Sequence, residues 1–490
     1  MRCTDPVNLF LSQADLRPHH PAVVEGDGII TYAMMADRVR KLASQLTRFG
    51  PHPRVLIHLP QSSWAYVAML ASLMAGGYYA PANLEHPALR QRALFKLFRP
   101  DVIVSDKENG NTLYGVGREI PLVTIGHIDA LALDVPRAPH ELAYVMFTSG
   151  TTGTPKGVMI PRSGIAHYVN WAIPAMAVMP EDRWSQHPNI AFDLSVLDIY
   201  GALCAGATLY PLLSRQDRLM PARFIRRHRL TIWNSVPSVI DLMQRGPLTV
   251  ADLDSLRLVT FCGEPLRREH LDILFSKNQE LVVHNTYGPT EATVSCTILR
   301  LTCNNYSLLC ESSAAIGDPI PGMELFLIDG DGQDEGEIVL AGPQLANGYW
   351  NDPGATAGNF IQVDVAGRPM RCYRTGDKGF RRSDGALFYS SRLDRQVKLR
   401  GHRVELGEIE AVIRSLTGFP AATILCDGVV HGVLECQEPI DFASLRQQLV
   451  ENLPVDCIPQ RFHQIDVLPR NENDKIDYQR LHGFVCEGHV

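Results

Sequence analysis

The chain is 490 residues long, 45% hydrophobic and 20% charged, with a formal net charge of −7. That length exceeds one ordinary hydrophobic core, so two or more domains follow, and the apolar and charged fractions are those of a soluble globular protein. The acidic balance and the lack of a long basic run exclude a general nucleic-acid binder; Arg226-Arg227-His228-Arg229 is the densest basic cluster and reads as a solvated helix end.

From the N-terminus, Met1-Arg2-Cys3-Thr4-Asp5-Pro6 is not a charged segment leading into an apolar one, so no export signal is visible. The longest apolar run, from Tyr66 to Ala82, is broken by Gly76-Gly77 and Pro81 and falls short of a membrane span. Eleven cysteines are scattered without a Cys-x-x-Cys pair or a His/Cys cluster, which reads as reduced thiols and a cytoplasmic location.

Short β-branched runs alternate with helical patterns through the first 300 residues: Arg54-Val55-Leu56-Ile57-His58-Leu59, Val102-Ile103-Val104, Leu122-Val123-Thr124-Ile125, Thr231-Ile232-Trp233 and Leu281-Val282-Val283. The alternation predicts parallel sheets covered by helices. Beyond Gly317, tight turns such as Asp329-Gly330-Asp331-Gly332 and Ser383-Asp384-Gly385 predict a β-rich subdomain. A strand hairpin is expected there, running from Gly336-Glu337-Ile338 to Asn347-Gly348-Tyr349-Trp350. After Leu393-Asp394-Arg395 a smaller unit begins. Its first helix shows in Leu406, Ile409, Val412, Ile413 and Leu416, spaced as one face, with Glu405, Glu408 and Glu410 in the first turns where the helix dipole favours acids. The expected fold class is α/β. Residues 1–393 form a large N-terminal domain of parallel-sheet α/β subdomains plus the β-rich one, and residues 394–490 a small α+β domain.

Directly after the apolar run Tyr144-Val145-Met146-Phe147 comes Thr148-Ser149-Gly150-Thr151-Thr152-Gly153-Thr154-Pro155-Lys156-Gly157, ten residues with four Thr, one Ser, three Gly, one Pro and one Lys. A strand that empties into such a loop is built to hold phosphate: glycines admit the anion to the backbone, hydroxyls and N–H groups donate, and lysine adds a charge. The loop is not of Walker type, which needs Gly-x4-Gly-Lys-Ser/Thr, because Lys156 follows Pro155 and precedes Gly157. A flexible surface linker would share the composition but not the strand before it.

Further segments carry chemistry. Asn285-Thr286-Tyr287-Gly288-Pro289-Thr290-Glu291 combines an aromatic able to stack on a base with a carboxylate able to hold a divalent cation. Tyr373-Arg374-Thr375-Gly376-Asp377 offers an acid suited to two ribose hydroxyls. The charged junction runs from Ser391-Arg392-Leu393-Asp394 to Glu405, Asn473-Asp474-Lys475-Ile476-Asp477 sets a lysine on a polar loop, and Ala191-Phe192-Asp193-Leu194-Ser195 sets an acid in an apolar run. Each alone reads equally well as surface structure.

In this order the segments resemble the acyl-adenylate-forming superfamily, and more closely the stand-alone amino-acid adenylation enzymes of the nonribosomal-peptide-synthetase type. The similarity runs from Ile30-Thr31-Tyr32 to Lys475. It implies a C-terminal domain that pivots at Asp394. It also implies ATP and Mg2+ as cofactors and two half-reactions in one site: adenylation of a carboxylate, then capture by a thiol. Thr148, Ser149, Gly150, Thr151, Thr152, Gly153 and Lys156 are then expected to grip the β- and γ-phosphates, with Thr148 also counted as catalytic. Glu291 is expected to hold Mg2+, and Tyr287 to stack on adenine beside Gly263, Glu264, Asn285, Thr286, Gly288 and Thr290. Asp377 and Arg392 are expected on the ribose, and Lys475 to offset charge developing in the transition state. The chain departs from the family pattern at Ser391, Asp474 and Pro81-Ala82-Asn83, none of which removes a charged catalytic group.

The resemblance also assigns Asp193 to the substrate's α-ammonium, since an ammonium in an apolar pocket needs a counter-charge; a plain helix cap before Leu194 is the bland alternative. The remaining pocket lining is expected to be Leu194, Leu197, Ser238, Thr260, Cys262, Thr286, Val294 and Ser295, with no second acid or base. The strings around Asp193, Cys262 and Tyr287 are very similar to D-alanine–carrier-protein ligases, which load small amino acids for decorating cell-envelope polymers. Glycine or alanine is therefore the favoured substrate. Proline or another small amino acid for a nonribosomal peptide is the alternative, and an acyl-CoA ligase the rival within the fold. His19-His20 lacks the Asp-Gly of a condensation motif, Asp254-Ser255-Leu256 lacks the glycines of a phosphopantetheine site, and fifteen residues follow Lys475. A separate phosphopantetheinylated carrier protein is thus the expected partner, with no nucleic acid and no stable membrane insertion.

Overall fold

Strands that are apolar on both faces need cover on both faces. In the computed structural model, which describes residues 3–106, 120–125, 138–150, 155–330, 334–365, 367–399, 402–471 and 475–486, such strands build two sheets. One runs in the spatial order Gly348–Tyr349, Lys156–Pro161, Leu142–Thr148, Tyr78–Pro81, Arg54–His58, Val102–Ser105, Leu122–Thr124, and is parallel from Tyr79↔Tyr144 out to Ile103↔Leu122. The other is parallel through Val282–Tyr287, Leu258–Phe261, Ile232–Ser235, Arg183–Gln186 and Thr208–Pro211, with antiparallel strands at both margins. This is the mixed α/β architecture with parallel sheets that the sequence predicts.

The long apolar run owes its character to burial between layers. Helix Ser63–Met74 is buried along nearly its whole length and feeds the fully buried strand Tyr78–Pro81. A helix apolar all round is one with no solvent face. The turn between them needs Gly77, whose added Cβ would lie 2.2 Å from the Pro53 carbonyl oxygen. Among the described residues no helix is long and apolar enough to cross a membrane.

Beyond Gly317 an antiparallel sheet orders Glu324–Ile328, Glu335–Ala341, Arg368–Arg381 and Phe360–Val365, with Leu387–Arg392 paired to Arg368–Arg381. The expected hairpin from Gly336 to Trp350 does not form. Glu335–Ala341 stays in this sheet, while Gly348–Tyr349 crosses to the first sheet and pairs with Lys156–Pro161. The crossing buries Leu345, Ala346 and Tyr349 and gives the Tyr349 hydroxyl the Glu291 carboxylate as acceptor at 2.8 Å.

The chain divides into two compact units, the first comprising 1–83, 98–146 and 157–393 and the second 84–97, 147–156 and 394–490. In the second unit the hairpin Gln396–Leu399/His402–Glu405 leads into helix Leu406–Thr417, followed by a three-stranded sheet of Ala421–Cys426, Val429–Glu435 and Arg461–Ile465. Leu406, Ile409 and Ile413 are buried against Val430, Leu434, Leu445 and Leu449, with Val412 and Leu416 at the margin, as the spacing predicts. Two of the acids expected to serve the helix dipole are instead buried and paired. Glu408 meets Arg90, and Glu410 accepts from Arg395 at 2.7 Å and from the Thr423 N–H at 2.7 Å. The thiols also depart from expectation: Cys426 and Cys486 form a disulfide, their Cα atoms 5.9 Å apart, and the other nine cysteines are not disulfide-bonded. No sequence spacing could announce that pair, since a strand and a helix 60 residues apart bring it together.

His284 lies in mid-strand, 4% exposed, with no hydrogen-bond partner for Nδ1 among the described residues. Burial, followed by the charges of Arg300 and Arg257, pushes its imidazole down to about 4 from 6.5. The unfolded chain therefore takes up this proton first as the pH falls, so the stability is whole above pH 6.5 and is lost toward pH 4. At pH 5 the loss from this group is about 2 kcal/mol. Urea melts at pH 7 and pH 5 on the protein and on His284→Leu check this: the variant should show a shallower decline.

Candidate active site

In the first unit three residues expected to act on ATP meet within the fold. Asp377 pairs in register with Arg392 across neighbouring strands. Arg392 Nη1 donates to Asp377 Oδ1 at 2.7 Å, the Tyr287 hydroxyl donates to Oδ2 at 2.6 Å, and the Asp377 N–H is fixed by the Thr375 hydroxyl at 3.0 Å. The carboxylate and guanidinium are 3% and 9% exposed. Burial, then the adjacent Asp377 charge, holds the Tyr287 phenol well above its ordinary range, so it stays a donor. Asn285, two residues earlier on the strand, donates to the Ala315 carbonyl at 2.8 Å, and Thr286 donates to the Phe261 carbonyl at 3.0 Å.

Glu291 sits in the short helical turn Thr290–Ala292, 1% exposed. The Tyr349 hydroxyl holds one carboxylate oxygen, and the Tyr373 hydroxyl lies 3.4 Å from that of Tyr349. An oriented hard carboxylate suits Mg2+, which binds through one or two protein carboxylates and takes its remaining oxygens from water and phosphate. Sequence reasoning missed both tyrosines, because they come from segments 58 or more residues beyond Glu291.

Asp193 heads helix Leu194–Ala205, yet it has helical φ and ψ and makes no capping bond, so the bland reading as a cap does not hold. Instead Ser195 locks the entry to the helix by donating to the Phe192 carbonyl at 2.7 Å. Leu194 and Leu197 share this helix. The other expected lining residues come from separate segments of the chain. Thr260 is fully buried with Oγ1 unpartnered among the described residues, and Cys262 is buried with Sγ 3.8 Å from the Val294 carbonyl. Ser238 donates its N–H to Glu264 at 3.0 Å, and Ser295 meets the Tyr168 hydroxyl at 3.2 Å. Gly288 is forced by this packing, since a Cβ there would lie 2.5 Å from the Ser295 Cα. Tyr144 and Tyr168, both fully buried and close enough to feel the Asp193 charge, and Asn234, which binds both the Leu194 carbonyl and Asp198, are further neighbours that the sequence did not reveal.

In the second unit, Ser149 donates to the Arg403 carbonyl, while Thr148 and Gly150 flank it. Burial raises the Glu405 carboxyl above its ordinary value, and the Arg403 and Lys156 charges work against that rise. Thr151, Thr152 and Gly153 lie outside the described residues. Lys475 is exposed, its carbonyl accepting from the Asn471 N–H at 2.7 Å and its own N–H donating to Asn471 Oδ1 at 3.1 Å. Asp394 is exposed, its carboxylate accepting from the Gln396 N–H at 3.1 Å.

A family model for AMP-binding enzymes matches residues 10–350. The chain belongs to the AMP-binding, acyl-adenylate-forming family of ligases, which use ATP with Mg2+. It is 32% identical to an L-proline--[L-prolyl-carrier protein] ligase of Streptomyces coelicolor over 94% of this chain and 93% of that one. It is also 32% identical to tyrocidine synthase 1 of Brevibacillus parabrevis over 96% of this chain, but spans only 44% of that relative. Among solved structures, the Vibrio cholerae adenylation domain AlmE in complex with glycyl-adenosine-5'-phosphate superposes with a TM-score of 0.86 at 28% identity, covering 98% of both chains. An NRPS protein containing adenylation and PCP domains, holo-PA1221, follows with a TM-score of 0.83 at 26% identity, covering 98% of this chain and 84% of that one.

The buried Asp377 carboxylate gives a direct stability test. Arg392→Ala leaves a buried charge without its ion partner and should cost about 3–5 kcal/mol, whereas Tyr287→Phe removes one donor and should cost about 1.5–3 kcal/mol. Equilibrium urea unfolding measures both; equal costs would mean the ion pair is not the main support of the carboxylate.

Proposed function

We propose that the chain activates a small neutral amino acid, glycine or alanine in preference, as its aminoacyl-adenylate with release of pyrophosphate, and then passes the aminoacyl group to the phosphopantetheine thiol of a separate carrier protein in the cytoplasm. The observation that carries this reading is Asp193: an acid just before the pocket helix that makes no capping bond and whose charge reaches the fully buried Tyr144 and Tyr168. An ammonium entering such surroundings needs that carboxylate, while a fatty or aryl acid does not. The glycyl-adenylate bound to the Vibrio cholerae domain supports glycine. Proline is the second reading, favoured by the name of the Streptomyces coelicolor relative.

In this mechanism Asp193 fixes the ammonium and so aims the substrate carboxylate at the α-phosphate. One carboxylate oxygen attacks phosphorus as the bond to pyrophosphate breaks. Glu291, oriented by Tyr349, would hold Mg2+, which would supply charge neutralisation on the phosphates. Asp377 and Arg392 receive the ribose, and Tyr287 stacks against the base while its hydroxyl keeps Asp377 in place. Thr148 to Lys156 grip the leaving phosphates. Lys475 offsets charge gathering on the pentavalent phosphorus and leaves when the C-terminal unit pivots at Asp394 for thiol attack on the adenylate. Leu194 and Leu197 limit side-chain length, and the expected lining has no second acid or base to pair with a distant charge.

Amino-acid-dependent pyrophosphate exchange across all common amino acids and D-alanine tests the reading. Exchange should peak with glycine or alanine, with discrimination between the two of roughly 10- to 200-fold and steep losses for leucine, phenylalanine and charged residues. A peak with proline would select the second reading, and activation of acetate or longer fatty acids would overturn both.

Two variants separate recognition from catalysis. Asp193→Ala should abolish amino-acid activation even at high substrate concentration. Lys475→Ala should slow adenylation by roughly 100- to 1,000-fold while leaving folding and ATP binding largely intact, read by single-turnover kinetics and calorimetry. Near wild-type adenylation by Lys475→Ala would remove that residue from the mechanism.

A further inference from the structure

The turn after Glu291 is built against the grain of its residues. Thr293 has φ +54° and Val294 φ +70°, consecutive β-branched residues in the region that favours glycine. The Ser295 N–H closes back onto the Thr293 carbonyl at 2.9 Å, so Val294 occupies the centre of a three-residue turn with the sign of φ found in the rare, strained form. Such a conformation persists only where its surroundings over-determine it.

Gln344 does this. It is fully buried, and its Nε2 lies 3.0 Å from the Ala292 carbonyl oxygen, 3.3 Å from that of Thr293 and 2.9 Å from that of Ser295, so two N–H groups serve three acceptors. The Thr293 hydroxyl donates back to the Gln344 carbonyl at 2.6 Å. Gln344 Oε1 lies 2.9 Å from His167 Nδ1, which holds the amide plane when that nitrogen carries the proton. The clamp thus reaches the turn from a segment about 50 residues further along the chain.

We propose that Gln344 is a positioning residue for amino-acid recognition, its amide holding the strained Ala292–Ser295 turn so that Val294 and Ser295 form one wall of the pocket. This rests on the reading of Val294 and Ser295 as pocket lining. Gln344 touches no reacting atom. It acts through the turn, and a methyl-sized shift of that wall falls hardest on a substrate with almost no side chain of its own.

The test is steady-state pyrophosphate exchange on the full chain, with amide hydrogen exchange over residues 288–296. Gln344→Ala should raise the KM for the best amino acid roughly 10- to 100-fold, while kcat at saturation and the KM for ATP move less than about threefold, and the amides at 293–296 should exchange faster. Gln344→Glu keeps the shape but sets an acceptor against three carbonyls, and should be at least as damaging. Thr293→Gly in the Gln344→Ala background relieves the strain and should recover part of the loss. A Gln344→Glu enzyme with wild-type amino-acid KM, or a Gln344→Ala enzyme with unchanged KM, overturns the inference. If Gln344→Ala fails to fold, Gln344→Glu and the exchange rates decide. Asp193→Ala is the control: should it also leave the amino-acid KM unchanged, the pocket reading itself has failed, and not the clamp alone.

Discussion

Giving each buried carboxylate its partners is the constraint on which the rest of this molecule depends. Asp377, Glu291 and Glu410 are nearly or fully buried, and each is held by groups from elsewhere in the chain: Arg392 and Tyr287, Tyr349, and Arg395 with the Thr423 N–H. A buried charge that loses such a partner is far costlier than a surface pair. Much of the architecture follows from that requirement. The register between Arg368–Arg381 and Leu387–Arg392 places the guanidinium opposite Asp377, and the crossing of Gly348–Tyr349 between sheets brings a phenol to Glu291. Glu291 follows the C-terminal end of the parallel strand Val282–Tyr287, and such strand ends are where open α/β sheets place their ligands.

The pocket helix answers a different demand. Asp193, the residue before it, makes no side-chain capping bond, and the entry to the helix is secured by Ser195 and by Asn234, which binds the Leu194 carbonyl. Asp198, a turn further on, is the contrasting case: burial drives its carboxyl well above the ordinary range, against the hydrogen bond from Asn234, which suits a neutral packing group rather than a counter-charge.

The second unit shows charge used as a structural joint. Glu410 gathers Arg395, the Thr423 N–H and the Tyr478 hydroxyl, while the Arg395 guanidinium lies 3.3 Å from the centroid of the Tyr478 ring. Arg395 is therefore tied to both helix Leu406–Thr417 and helix Tyr478–Cys486 of its own unit.

The sequence by itself determined the elements and the chemistry they carry. Period-two and period-3.6 patterns are local, so Val55-Leu56-Ile57, Val282-Val283 and the face of Leu406, Ile409 and Ile413 were legible. What the sequence left open was which distant groups meet. The expected hairpin at Gly336–Trp350 failed because pairing is settled by burial of Tyr349 beside Glu291, not by the turn residues between two strands. Glu408 and Glu410 read as dipole partners because Arg90 and Arg395 come into view only once the helix is packed. Tyr349, Tyr168, Asn234 and Gln344 carry no local signature at all. Their roles arise from hydrogen bonds spanning tens of residues, and only the folded chain, by closing those distances, could decide them.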